Sequence, residues 1–418
     1  MGFIKGALAA RVFLCFASAY LLSYAFRSIN AVIAPALVGE VGLSNADLGL
    51  LSSAYFLSFA SLQLPLGIWL DKYGSRRTES ALLLFAAVGA AVFASSSSLA
   101  GLWIGRALIG VGVSACLMAP FKAYRQWFAP ERQSQLASWM LVAGTSGALA
   151  ATVPVNAALP LVGWRGVFWI MSGMIIAAAA AIFFLLKKVE ATHLSAAPSA
   201  PHATGQTDNK GYAYIFGNPY FRRMALLGMV NHGSFIALQT LWAGPWMITV
   251  LGMDKTQTAR ILFIFNLCLL CTYLMLSWWA PRHVAQGGSS GIPALRVIAI
   301  GLAGTIAAQV AMLMTSASWS WMLSIVLAIC ITVTTLVQTA VSLSFPSALA
   351  GRANSAYNLL LFVGAFIAQW GVGLLIDVFE NYGASPADAM RMAFALCVAC
   401  QALALSRFFV NRTEPNIV

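Results

Sequence analysis

The sequence predicts an all-α membrane protein of twelve transmembrane helices in two six-helix halves. Three observations carry this. Of 418 residues, 60% are hydrophobic and only 9% charged, where soluble chains carry about 25% charged residues. Twelve apolar runs are long enough to span, since a crossing helix needs about 20 such residues. One polar stretch divides them six and six. The runs lie near 12–37, 47–70, 79–98, 101–121, 136–159 and 166–187, then near 222–250, 257–280, 294–315, 318–345, 353–377 and 386–410. The first is long and lacks a small-residue cleavage site, so it reads as a span and not a signal peptide. Residues 188–218, rich in Ala, Ser, Pro, Thr, Gly and Asn, read as a flexible cytoplasmic linker. The expected domains are therefore 1–187, the linker 188–218, and 219–418.

The net charge of +12 raises nucleic acid as a partner, but its placement argues against one. Eighteen of the 24 Lys and Arg, from Lys5 to Arg412, fall on one face of this topology. That is the positive-inside bias of a multi-pass protein in a bacterial inner membrane. An even number of spans then puts both termini in the cytoplasm. The seven cysteines all lie in apolar runs. Neither C-x-x-C pair, Cys268/Cys271 or Cys397/Cys400, has the loop setting of a zinc or redox site, so they read as small core residues. No metal site or cofactor is expected. No H-E-x-x-H, G-x-S-x-G or phosphate loop is present, which argues against an enzyme. The linker is too short and polar for a sensor domain.

The most telling stretch is Gly67-Ile-Trp-Leu-Asp71-Lys72-Tyr-Gly74-Ser-Arg76-Arg77. Such a charge cluster cannot sit in hydrocarbon and marks a short loop at a membrane face. Asp71 is suited to pair with a guanidinium or to cap a neighbouring helix. The pattern resembles, at every fixed position, the loop between helices 2 and 3 of the major facilitator superfamily. Arg106-x-x-x-Gly110-x-Gly112 resembles that family's R-x-x-x-G-x-G element, and Trp164-Arg165-Gly166-Val-Phe168 its W-R-x-x-F signature. Helix 5 lacks the full Gly-Pro element of drug:proton antiporters, and the second-half copy of the Asp-Arg loop is eroded to Trp279-Ala-Pro281-Arg282-His283. The halves also echo each other. Pro35 and Gly42 recur as Pro245 and Gly252, both at an offset of 210 (245−35 and 252−42). The resemblance implies the two-fold pseudosymmetric fold of that family, rocker-switch alternating access and a monomer. It also implies conformational roles for Gly67, Asp71, Lys72, Gly74, Arg76, Arg77 and Arg106.

Ionisable and polar groups inside spans point to a cavity or a partner. Arg27 shares one helical face with Tyr20, Tyr24 and Asn30, at spacings of 4, 3 and 3. A guanidinium between phenol and amide groups suits an organic anion; the other reading is an arginine snorkelling to the outer surface. Tyr24-Ala-Phe-Arg27-Ser-Ile-Asn30 also resembles helix 1 of the anion:cation symporter branch, whose arginine belongs to an organic-anion site. In helix 7, His232, Phe235, Gln239, Trp242 and Trp246 recur at 3, 4, 3 and 4 and should share a face. That face is either a substrate wall or plain helix packing. Gln338, Asn358 and Gln369 are polar candidates in helices 10 and 11. Lys122 either looks into the cytoplasmic mouth or snorkels. No carboxylate is expected deep in a span: Glu40 and Asp47 fall near outer loops, Asp71 and Glu79 near inner ones. Proton coupling would then rest on His232 or a mouth group such as Asp47. The expected activity is secondary transport of a small organic anion, with a proton as possible co-substrate. Efflux of amphipathic compounds is the alternative. Copper import by Met224, Met229, His232 and Met247 fits poorly, because the methionine spacing is wrong.

Overall fold

The computed structural model describes residues 7–128, 130–196, 209–285 and 292–410. Lys5, Arg412 and the middle of the expected linker, 197–208, lie outside them. The apolar runs fold as helices because, in hydrocarbon, only intra-chain bonds can satisfy backbone amides. Among the described residues, nine helices are long and apolar enough to cross a membrane, and two shorter apolar helices, Asn30–Val41 and Leu99–Gly112, accompany them.

The first run is broken into α1 (Ala7–Ser28) and α2 (Asn30–Val41). Pro35 inside α2 has no N–H to return to the Ala31 carbonyl. The second run divides between α3 (Asn45–Ser61) and the first arm of α4 (Gln63–Ser95). The loop expected between the second and third runs shrinks to a kink at Gly74, whose φ of 80° and ψ of 165° are non-helical and divide α4 into two arms. Only glycine adopts that backbone without strain. The fourth run gives α5 (Leu99–Gly112) and α6 (Met118–Trp127), with Ser98 capping α5 through the Gly101 amide. Then follow α7 (Pro130–Ala150) and α8 (Val153–Leu185), the latter turned at Gly163 in the same way, at φ 66° and ψ 172°.

The described parts of the expected linker are not coil. They form α9 (Lys187–Ala196) and α10 (Asn209–Gly217). Beyond Pro219 come α11 (Pro219–Ala237), a five-residue π segment (Leu238–Trp242) and α12 (Ala243–Thr249). Next are α13 (Lys255–His283) and two-residue parallel strands β1 (Val284–Ala285) and β2 (Ile292–Pro293). The chain closes with α14 (Ala294–Met314), α15 (Trp321–Ile331), α16 (Thr334–Leu343), α17 (Ser347–Asn381) and α18 (Pro386–Val410).

The sequence echo at an offset of 210 is an echo of backbone. Gly42 and Gly252 both take left-handed φ, 72° and 67°. Each then leads into a capped helix. Ser44 and Asp47 exchange hydrogen bonds across the start of α3, and Asp254 accepts from the Gln257 amide at the start of α13. The two caps are again 210 apart (254−44).

The chain packs as two units: Met1–Ile29 with Leu57–Thr207, and Asn30–Phe56 with Asp208–Val418. In the first, α1 lies on α7 and α8, and α4 on α5, α6 and α8. Missing side chains let these backbones touch. A Cβ on Gly89 would come within 2.7 Å of the Gly105 carbonyl, and one on Gly147 would overlap the Leu21 carbonyl. In the second unit, α11 lies on α17, where Gly233 and Gly364 meet. Gly244 there faces the Ala31 carbonyl that Pro35 leaves without its helical donor.

Replacing Gly147 by leucine should lower thermal stability in detergent by about 1–3 kcal/mol, the usual cost of overpacking. Gly173→Ala, at a position where a Cβ meets open space, should leave the unfolding midpoint unchanged. Equal midpoints for the two variants would refute the packing argument.

Candidate functional site

Helix α1 ends where its chemistry is richest. Arg27 sits in its last turn, where a cation is favoured by the helix dipole. The guanidinium is half-buried and lies over the Tyr24 ring, 5.2 Å from its centroid. Tyr24 in turn meets Tyr20, with the hydroxyls 3.4 Å apart and the ring centroids 5.0 Å apart. Tyr20, Tyr24 and Arg27 thus form the expected row. Asn30 opens α2, in the second unit. Asn30 is buried within the second unit and donates to Ser52 Oγ of α3 at 2.6 Å.

The expected stripe on helix 7 is divided by the π segment. An α-helix turns roughly 100° per residue, and a π turn inserts one extra residue. The spacing of 3, 4, 3 and 4 therefore does not hold one face across Leu238–Trp242. His232 and Gln239 are half-buried, whereas Trp242 is fully buried and Trp246 nearly so. The Trp242 indole donates to the Gln369 carbonyl at 3.0 Å. Trp246 packs edge-on against Phe394, at a centroid distance of 5.2 Å, beside an apolar cleft that also touches Leu238, Gln309, Met312 and Val398.

The polar groups of this unit are gathered in pairs. Gln239 donates to Asn266 Oδ1 of α13 at 2.9 Å. His232 Nδ1 lies 2.7 Å from the Thr334 hydroxyl. That hydroxyl donates to the Ile331 carbonyl at 2.7 Å, so Nδ1 is the ring nitrogen that donates to it. Gln369 is buried and accepts from Thr240, and Gln338 and Asn358 are half-buried. Asn266 and Thr334 escaped the sequence reading, although each is a polar residue in an apolar run and so carried a legible signal.

The stretch from Gly67 to Arg77 differs from expectation in its pairings. Asp71 pairs with the Lys122 ammonium of α6 at 2.5 Å, and not with a guanidinium; Lys122 also donates to the Leu70 carbonyl at 2.6 Å. Lys122 is therefore engaged at the turn of α4. Arg76, nearly buried, bonds Glu190 of α9 at 2.5 Å and the Phe183 carbonyl at 2.9 Å, and covers the Phe183 ring. Gly67, Lys72 and Arg77 are exposed. Arg106 of α5 is fully buried. It donates to the Phe26 carbonyl at 2.7 Å and lies over the rings of Phe93 and Phe168, at 4.8 and 5.2 Å.

At the start of α3 the second unit carries an anion clamp. Asp377 of α17 accepts from the Asn45 amide at 3.0 Å and the Ala46 amide at 2.8 Å, and Asn45 also donates to Glu380. A carboxylate on free helix N-terminal amides satisfies both their hydrogen bonds and the helix dipole. Gly49 and Gly373 bring α3 and α17 to backbone contact beside it. Asp47 is spent on the Ser44 cap. Glu79, expected near a loop, is instead wholly buried.

Comparison with known proteins places this geometry. The chain is 24% identical to a probable L-galactonate transporter of Escherichia coli K12, over 95% of this chain and 88% of that one. It is 27% identical to the hexuronate transporter of the same strain, over 60% of this chain and 62% of that one. A bacterial homolog of the human lysosomal transporter Spinster, solved in an inward-facing, unoccupied conformation, superposes with a TM-score of 0.73 over 97% of both chains. At 15% identity, that likeness shows the fold alone. The profile of the Major Facilitator Superfamily matches residues 16–369, and the chain belongs to that family: it is a multi-pass integral membrane transporter and not an enzyme.

Proposed function

We propose that this protein imports a sugar-acid monocarboxylate, of the hexuronate or aldonate class, by proton-coupled alternating access. The observation that carries the reading is Arg27, a guanidinium in the last turn of a broken helix and backed by two tyrosines. A planar fork of donors matches a carboxylate bidentately. The relative aligned over 95% of this chain is named for L-galactonate, and others are named for hexuronate and galacturonate; these solutes pair one carboxylate with several hydroxyls. Tyr24 and Arg27 are assigned to the carboxylate. His232, Gln239, Gln338, Asn358 and Asn30 are assigned to polar contacts of the solute, and Trp242 and Trp246 to support behind them. The protein works as a monomer in a bacterial inner membrane with both termini in the cytoplasm, as its lysine and arginine bias implies.

The test is uptake of radiolabelled D-galacturonate and L-galactonate by proteoliposomes of the purified protein. Arg27→Gln should lower uptake at least about tenfold, because a charge-assisted hydrogen-bonded pair contributes roughly 1.5–3 kcal/mol. Arg27→Lys should recover little of it, since an ammonium cannot form the fork. Undiminished uptake in Arg27→Gln would remove recognition from α1.

Gly67, Asp71, Lys72, Gly74, Arg76, Arg77 and Arg106 are assigned to the conformational change, with Gly74 as the turn about which the arms of α4 hinge. The two ion pairs at this turn should differ in weight. Arg76 and Glu190 are 5% and 14% exposed, whereas the Asp71 side chain is 82% exposed. Arg76→Ala should cost about 3–5 kcal/mol, since it strands a buried carboxylate. Lys122→Ala should stay within about 1 kcal/mol. Thermal unfolding of the two variants checks the order.

A further inference from the structure

Glu79 lies five residues past Gly74 in α4 and is fully buried. Its one hydrogen-bonding neighbour among the described residues is the Cys116 thiol, a weak donor, and no N–H or O–H group reaches either carboxyl oxygen. Leu82 and Leu83 lie one turn further along the same helix, and Leu82 joins Leu66, Leu70, Ala115 and Ala119 in an apolar cluster. An ionised carboxylate in such a place would need a counter-ion, because burying a bare charge costs far more than burying a neutral polar group.

Basic groups on its own helix and on the elements packed against it are engaged elsewhere, and Arg106 and Arg165 find their partners beside Phe93 and Ser96, toward the other end of α4. On its own helix, Arg76 is held by Glu190 and the Phe183 carbonyl. On α5, Arg106 is held by the Phe26 carbonyl and two phenylalanine rings. On α6, Lys122 is held by Asp71 and the Leu70 carbonyl. On α8, Arg165 donates to the Ser96 carbonyl and lies over Trp164. On α1, Arg11 is exposed and acts on Cys15. The titratable groups that sense Glu79 are Cys116, Cys15 and Tyr124, all buried and all weak acids that are uncharged at neutral pH. None supplies a positive charge. Tyr124 points its hydroxyl at Met140 Sδ, 3.4 Å away.

We propose that Glu79 is a proton-binding site of this transporter: it holds a proton while α4 packs as described, and releases it when the hinge at Gly74 lets water reach the carboxyl. The location couples protonation to conformation by construction. The same helix carries the Asp71 and Arg76 pairs on either side of the turn, so any movement that parts them also changes what covers Glu79. The proton would pass between water and one carboxyl oxygen, with no other reactant. The coupling role rests on the transport reading above; proton occupancy does not.

Two measurements separate these. Infrared spectroscopy of the purified protein in lipid, at neutral pH, should show the carbonyl stretch of a protonated carboxylic acid in the wild type. That band should be absent from Glu79→Gln and shifted but present in Glu79→Asp. A wild type without the band, or a band that persists in Glu79→Gln, overturns the assignment. In proteoliposomes loaded with D-galacturonate, Glu79→Gln should keep solute counterflow, which needs no net proton movement, and lose accumulation driven by an acid-outside pH gradient. Gradient-driven accumulation equal to wild type would overturn the coupling role. Absence of counterflow in the wild type would instead strike at the sugar-acid reading and leave the infrared result standing.

Discussion

A polar group inside this protein must find its partner in the chain, because the surrounding hydrocarbon offers none. Arg106 shows the constraint at its sharpest. A wholly buried guanidinium is tolerable only because the Phe26 carbonyl accepts from it and two rings turn their negative faces toward it. The same constraint explains why Ser and Thr hydroxyls return to the carbonyl three or four residues back throughout the spans, as Ser80, Thr145 and Thr305 do. It also makes breaks in the helices informative. The interruption at Ile29 and the π segment at Leu238–Trp242 disturb backbone bonding in the middle of runs that could have been regular. Such departures recur at functional sites.

Much of this was legible in advance, and for identifiable reasons. The loop from Gly67 to Arg77 announces itself because charge in an apolar chain has only one place to go. Gly42 and Gly252 announce a repeated turn because a left-handed φ selects glycine. The row of Tyr20, Tyr24 and Arg27 follows from helical spacing within an unbroken helix. Where helical spacing was carried across a break it misled. Trp242 closes the π segment and Trp246 lies beyond it in α12, so the stripe of helix 7 does not run through as one face. Neither the break at Ile29 nor the π segment has a local sequence signature strong enough to read. Pro35 and Pro245 announce only that the backbone nearby is irregular.

Burial was the other quantity that composition could not supply. Position along the chain placed Glu79 near a loop, since Gly74 and two arginines immediately precede it. The loop turned out to be a kink at one glycine, so Ser75, Arg76, Thr78 and Glu79 after it are already buried, and Arg77 alone among them is exposed. For Lys122 the sequence left two readings open, and its partners, the Leu70 carbonyl and the largely exposed carboxylate of Asp71, lie on another helix. The positions of partners on other helices decide such cases, and those positions are products of the fold.

The clamp of Asp377 on the first amides of α3 sets apart two kinds of adhesion between the same helices. Gly49 and Gly373 hold α3 to α17 by backbone contact, which dissolved salt leaves untouched. The clamp is a charge facing a dipole at a partly open surface, and mobile ions screen such a charge within about 10 Å at moderate salt. The adhesion between this end of α3 and α17 is therefore set in part by the ionic composition of the medium that reaches it, while the glycine contact beside it is not.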